Sequence, residues 1–85
     1  MELKTFIDSM NSSPKMKNRG FKFFKAEYPK GHDDDPLVIG INLNRGNVVT
    51  YFKFDNDMIY AIHVDCSFFE LCDITDEINR LLKGE

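Results

Sequence analysis

The chain has 85 residues, with 42% hydrophobic and 13% aromatic side chains, eight Phe and no Trp. Surface scaling lets a chain of this size bury roughly 64% of its unfolded surface, enough for one core spanning residues 1–85 and too little for a second domain or for the walls of a pocket of about 300 Å³. The apolar content excludes a disordered chain, and a formal charge of −3 is too mild to mark a nucleic-acid binder by itself.

Leu3, Phe6, Ile7 and Met10 recur at i, i+3, i+4 and i+7, which predicts a helix over residues 2–11 that ends before the turn cluster Asn11–Pro14. Residues 20–28 (GFKFFKAEY) are aromatic and close at Pro29, so they read as a strand with a bulge at Phe23–Phe24, where the alternation slips. An acidic loop, PKGHDDDP, separates it from a second strand, PLVIGINL. Asn44–Asn47 then reads as a hairpin turn, and VVTYFKF as the returning strand. With Arg45-Gly46 as a two-residue loop, Leu43/Val48, Ile41/Thr50, Ile39/Phe52 and Leu37/Phe54 share one face. A three-residue loop, Asp55–Asp57, would set Phe54 against Met58 and continue that face through Tyr60, Ile62 and Val64; a two-residue loop would turn Ile59, Ala61 and His63 inward instead. The first register is preferred here because it buries the larger side chains. Ser67-Phe68-Phe69-Glu70 fits a capping box, and Leu71, Ile74, Ile78, Leu81 and Leu82 continue a helical stripe up to Gly84, with Asp73–Asp76 as a point where it could divide in two.

The expected architecture is α+β, a two-layer sandwich of order α-β-β-β-β-α, in which a four-stranded antiparallel meander carries the N- and C-terminal helices on one face. If they cover the face of Leu37, Ile39, Phe52, Tyr60 and Ile62, the open face presents Val38, Val49, Tyr51, Lys53, Ile59 and His63. That mixture of aliphatic, aromatic and rim-type polar groups is the composition of a protein interface. Either another protein or a second copy of the chain could cover it.

Charge is unevenly spread. Residues 1–30 hold seven basic and three acidic side chains, and residues 31–85 hold four basic and eleven acidic ones. Such asymmetry can steer an oppositely patterned partner, and the acidic loop residues Asp33, Asp34 and Asp35 would belong to that docking surface. On the basic side, Lys15, Lys17, Arg19, Lys22 and Lys25 interleave with Phe21 and Phe23, the pairing of cations and rings that single-stranded RNA or DNA requires. The run Arg19-Gly20-Phe21-Lys22-Phe23-Phe24 resembles the aromatic strand signature of the RNA recognition motif family. It departs from that signature at Lys22, where a small residue is usual, at Phe24, where an aliphatic one is usual, and at Ala26, which replaces the last aromatic.

Motifs for chemistry are sparse. His63, Cys66 and Cys72, with His32, could supply metal ligands, but a Cys-x₅-Cys gap is not a zinc knuckle. Cys66, near a helix N-terminus and three residues after His63, could be an activated thiol, yet Asp65 opposes the thiolate. His32–Asp35 and Asp55–Asp57 lack the glycine and distal glutamate of a calcium loop. There is no phosphate loop, nucleophile elbow or zincin motif. The longest apolar runs are far short of a membrane span, and residues 1–10 lack a secretory apolar region. The reading is therefore a cytoplasmic protein without enzymatic activity, cofactor or metal, which binds another protein (inhibitor, antitoxin, immunity or adaptor type); the alternative is binding of single-stranded nucleic acid through residues 15–25.

Overall fold

The computed structural model describes residues 2–26, 37–55, 58–63 and 65–84. The fold is α+β, with an antiparallel sheet and helices at both ends of the chain. Helix α1 spans Leu3–Ser12 and buries Phe6 and Met10, with Leu3 and Ile7 packed beside them, so its predicted apolar stripe faces the core. It stops at Ser13 because the residue before a proline is driven out of the helical region; Ser13 is extended at φ −66°, ψ 126°. That same serine caps a short helix α2, Pro14–Asn18, by accepting a hydrogen bond from the Met16 N–H, with Pro14 in the first position where its missing N–H costs nothing. The expected turn at Asn11–Pro14 is thus a junction between helices. Gly20, at φ +75°, reverses the chain into the sheet.

The strands are β1 Phe21–Lys25, β2 Leu37–Asn42, β3 Asn47–Asp55 and β4 Met58–His63, paired antiparallel in the order β1-β2-β3-β4. Both hairpin registers differ from expectation: the β2–β3 pairing by two residues next to the turn and by one beyond Gly40, the β3–β4 pairing by one. Val38 pairs with Phe52, Ile39 with Tyr51 and Gly40 with Thr50, and a shift after Gly40 then sets Ile41 against Val48 and Asn42 against Asn47. The connection is a four-residue turn, Leu43–Gly46, rather than Arg45-Gly46 alone. It is held by Asn42, whose Oδ1 accepts from the N–H groups of Asn44 (2.9 Å) and Arg45 (3.1 Å), an Asx turn. In the next hairpin Asp55 pairs with Met58 and Phe54 with Ile59, the register of a two-residue loop.

Because side chains alternate along a strand, a one-residue slip exchanges the two faces. Val38, Gly40 and Asn42 therefore face the helices, while Leu37, Ile39 and Ile41 lie on the other side and remain only partly covered. No bulge occurs at Phe23–Phe24: β1 keeps its pairing, with Phe21 and Phe23 buried and Phe24 turned out. The irregularity lies across from it, between Gly40 and Ile41.

The buried cluster joins Phe6, Met10, Met16, Phe21, Phe23, Val38, Val49, Phe52, Ile74 and Ile78, the last two from α3, Phe68–Leu82. Helix α3 is one helix. Ser67 opens it with the expected capping box, its Oγ accepting from the Glu70 N–H and its own N–H donating to Glu70 Oε1 at 3.0 Å. Aromatic rings form the centre of the core: Phe52 lies 5.5 Å from Phe6, edge to face, and 5.9 Å from Phe23.

The outer edge of β1 is occupied by a side chain. Asn11 Nδ2 donates to the Phe23 carbonyl at 2.9 Å and Asn11 Oδ1 accepts from the Phe23 N–H at 2.8 Å, so one amide stands in for a neighbouring strand. Asn11→Ala leaves both groups unpaired and should cost about 1–3 kcal/mol, read as a drop in melting temperature by circular dichroism. Gly40→Ala should cost a similar amount. A Cβ at Gly40 would lie 2.7 Å from Phe23 Cε1 and 3.0 Å from Thr50 Cγ2, and an overfilled core loses about 1–3 kcal/mol; an unchanged midpoint in urea would refute the close approach.

Candidate interaction surface

With the helices on one side, the other side of the sheet presents a contiguous set of side chains. Register places Phe24 beside Ile39 and Ile39 beside Tyr51; a second row runs from Lys22 through Ile41 to Val48, and a third pairs Leu37 with Lys53. Leu37, Ile39, Ile41, Val48, Tyr51 and Lys53 are half-buried, Lys22 is exposed, and Phe24 is 40% exposed. None of the apolar ones belongs to the buried cluster or packs against it. The paired strands fix the backbone that carries them, so the surface needs little backbone ordering on contact with a partner.

Of the residues expected on this face, Tyr51 and Lys53 lie there. Val38 and Val49 do not: both are fully buried against the helices, Val38 through the register slip and Val49 at the irregularity in β3. Ile59 also packs against the core. The backbone of His63 pairs with Thr50, a position on the helix side, and the His63 side chain lies outside the described part of the structure. Asp33, Asp34 and Asp35 fall outside the described residues, as does His32. The residues that sequence reasoning missed are Leu37, Ile39, Ile41 and Val48, which it assigned to the core.

The basic aromatic segment does not form one platform. Phe21 and Phe23 are 4% and 1% exposed, so their rings pack inside the protein and offer no face to a base. Arg19 is engaged with Asp73, Nε to Oδ2 at 2.6 Å. Lys15 and Lys17 lie on α2, Lys22 on the open sheet face, and Lys25 in a groove of about 410 Å³ with Leu3, Lys4, Ile7 and Asp8.

A second apolar feature sits at the start of α3. Phe68 and Phe69 are 72% and 73% exposed, their rings 6.0 Å apart and steeply inclined. They are the two residues between Ser67 and Glu70 of the capping box, in the first turn of the helix. Close by, Arg45 reaches the Asp65 carbonyl and the Glu70 carboxylate, each at 3.4 Å, and Asn47 Nδ2 donates to Asp65 Oδ2 at 2.7 Å. These contacts tie the β2–β3 turn to the helix.

Titratable groups here are tuned for structure. Burial pushes the Cys66 thiol up, the carboxylates of Glu70 and Asp65 push it further, and Arg45 only partly offsets them, which is the opposite of an activated nucleophile. Cys66 and Cys72 are free, and no cluster of metal-ligating side chains occurs among the described residues. No described helix is long and apolar enough to cross a membrane. No family, curated protein or solved structure matches this chain.

Burial alone would raise the Glu70 carboxyl, but the backbone and hydroxyl of Ser67, then Arg45 and Arg19, outweigh it and hold the group below its ordinary value. A folded value lower than the unfolded one means stability present above the unfolded carboxyl range and lost as pH falls through the folded value. Replacing Glu70 with Gln should therefore destabilise the protein at neutral pH and flatten the loss of stability below about pH 4.5, measured by urea titrations across pH 3–7; parallel curves for the two proteins would contradict this role.

Proposed function

We propose that this protein is a non-enzymatic protein-binding module whose docking surface is the sheet face opposite the helices, centred on Phe24, Ile39, Ile41 and Tyr51. The observation that carries this reading is the composition of β2. Its sequence LVIGIN is apolar at every position but Asn42 at the turn end, with Val38 and Gly40 inward and Leu37, Ile39 and Ile41 outward. Antiparallel strands with one wet face alternate apolar with polar, whereas strands covered on both sides read as continuous apolar runs. β2 is therefore the strand of a sheet meant to be covered twice, once by the helices and once by a partner.

Lys22 and Lys53 stand among these apolar groups, so the partner surface is apolar with carboxylates at its rim. The two free cysteines support a reducing, cytoplasmic setting. An inhibitor, antitoxin, immunity protein or adaptor would each use such a surface.

The test compares wild-type protein with Ile39→Asp and Phe24→Ser as baits in lysate treated with nuclease and moderate salt. Proteins retained by wild type should be lost from both variants, a weakening of about tenfold or more for residues at an interface centre, while circular dichroism shows both folded. Equal retention by folded variants would sink the proposal, as would retention that disappears with nuclease.

A further inference from the structure

The two edges of the sheet are treated differently. On β1, the backbone of Phe23 is closed by the Asn11 amide, and Lys22 and Lys25 add charge, the two devices by which edge strands avoid pairing with other chains. On β4, no strand pairs with the outer edge among the described residues. Its sequence, MIYAIH, holds no Lys, Arg, Asp, Glu or Pro. Hydrogen-bond alternation fixes which groups point outward. The Ala26 N–H bonds to the Leu37 carbonyl, so Leu37, Ile39 and Ile41 bond toward β1, and Val38 and Gly40 bond toward β3. Carried one strand further, Tyr51 and Lys53 bond to Ile62 and Tyr60, which leaves the N–H and C=O of Ile59, Ala61 and His63 directed away from the sheet.

We propose that the β4 edge pairs with the same edge of a second copy of this chain, antiparallel about a two-fold axis at Ala61, joining two sheets into one. The register sets Ala61 opposite Ala61, Ile59 opposite His63, and Tyr60 opposite Ile62. About six backbone hydrogen bonds result, using every outward group of these three residues on both copies. Within β4, Met58–His63, this register sets no two residues of like formal charge opposite each other. Since Asn11 closes β1, the head-to-tail alternative, β1 on β4, is blocked, and assembly ends at two copies instead of growing into a fibre.

The area sets the strength. Six residues make an edge about 20 Å long and the sheet is about 10 Å thick, so a few hundred Å² per copy is covered, below the roughly 800 Å² per partner of a stable complex. The dimer is weak, forming between about 10 μM and 1 mM.

Sedimentation velocity across that range should show a shift from monomer to dimer and nothing larger. Amide exchange by NMR should show Ile59, Ala61 and His63 gaining protection as concentration rises, while Tyr60 and Ile62 are protected throughout. Ala61→Pro removes one outward N–H and no bond to β3, so it should remain monomeric; Ile39→Asp, on the other side of β2, should dimerise as wild type does. A monomer at all concentrations, dimerisation without new protection at the three amides, or a dimer broken by Ile39→Asp and spared by Ala61→Pro would each overturn the edge pairing. If Ala61→Pro does not fold, the exchange pattern of the wild type decides. Loss of partner binding through Ile39 is a separate readout, so either proposal can fail without the other.

Discussion

The contact between the Phe23 ring and the bare Cα of Gly40 is the constraint on which the rest of the arrangement depends. Phe23 and Gly40 are cross-strand partners, and the ring occupies the space that a Cβ at Gly40 would need. Only glycine allows so close an approach, and only with Gly40 facing the helices does the ring reach Phe52 and, through it, Phe6. Fixing Gly40 inward fixes Val38 and Asn42 inward with it, by the two-residue repeat of a strand. The shift between Gly40 and Ile41 then takes up the odd residue, so that Val49 is also buried while Asn42 still meets Asn47 at the turn.

Local signals survived the passage from sequence to structure, and register did not. The stripe on α1 and the capping box of α3 are set by spacings of three and four residues within one element, so nothing outside the element can move them. Helix α2 is legible in principle, since Ser13 followed by Pro14 is a cap and a first-turn proline, but the same residues also spell a turn. The faces of the sheet were a harder case. In β2 every residue before Asn42 is apolar, so alternation there carries no information about which set is inside. Turn length and the irregularity after Gly40 decide together: Asn42, whose side chain caps a four-residue turn, moves the pairing by two residues relative to an Arg45-Gly46 loop, and the extra residue in β3 takes one of them back. Ranking candidate faces by side-chain size failed for the same reason: at Gly40 the core wanted the smallest side chain, to admit the largest.

Polar contacts do a different job from the aromatic core. Arg19 to Asp73 joins the segment after α2 to α3, Arg45 to Glu70 joins the β2–β3 turn to the start of α3, and Asn11 joins α1 to the edge of β1. Each links a helix to a neighbouring element; the two ion pairs, near the surface, add little stability, whereas the Asn11 amide satisfies a backbone N–H and C=O that would otherwise be unpaired. Part of the charge asymmetry between the two ends of the chain is consumed internally in this way, since Arg19 comes from the basic end and Asp73 from the acidic one.

Alternation also separates two kinds of selection on β2 and β3. Substitutions at Val38, Gly40 and Phe52 act on the core, because these residues are buried among rings that have no room to adjust. Substitutions at Leu37, Ile39 and Tyr51, one position away, act on a half-covered surface backed by an intact core, where a change of side chain alters what the sheet can meet more than whether it folds. Surface specificity can therefore vary on this scaffold while the fold stays constant, provided the Asn42 turn keeps the register; a slip of one residue would exchange the two sets, burying the docking residues and exposing the core.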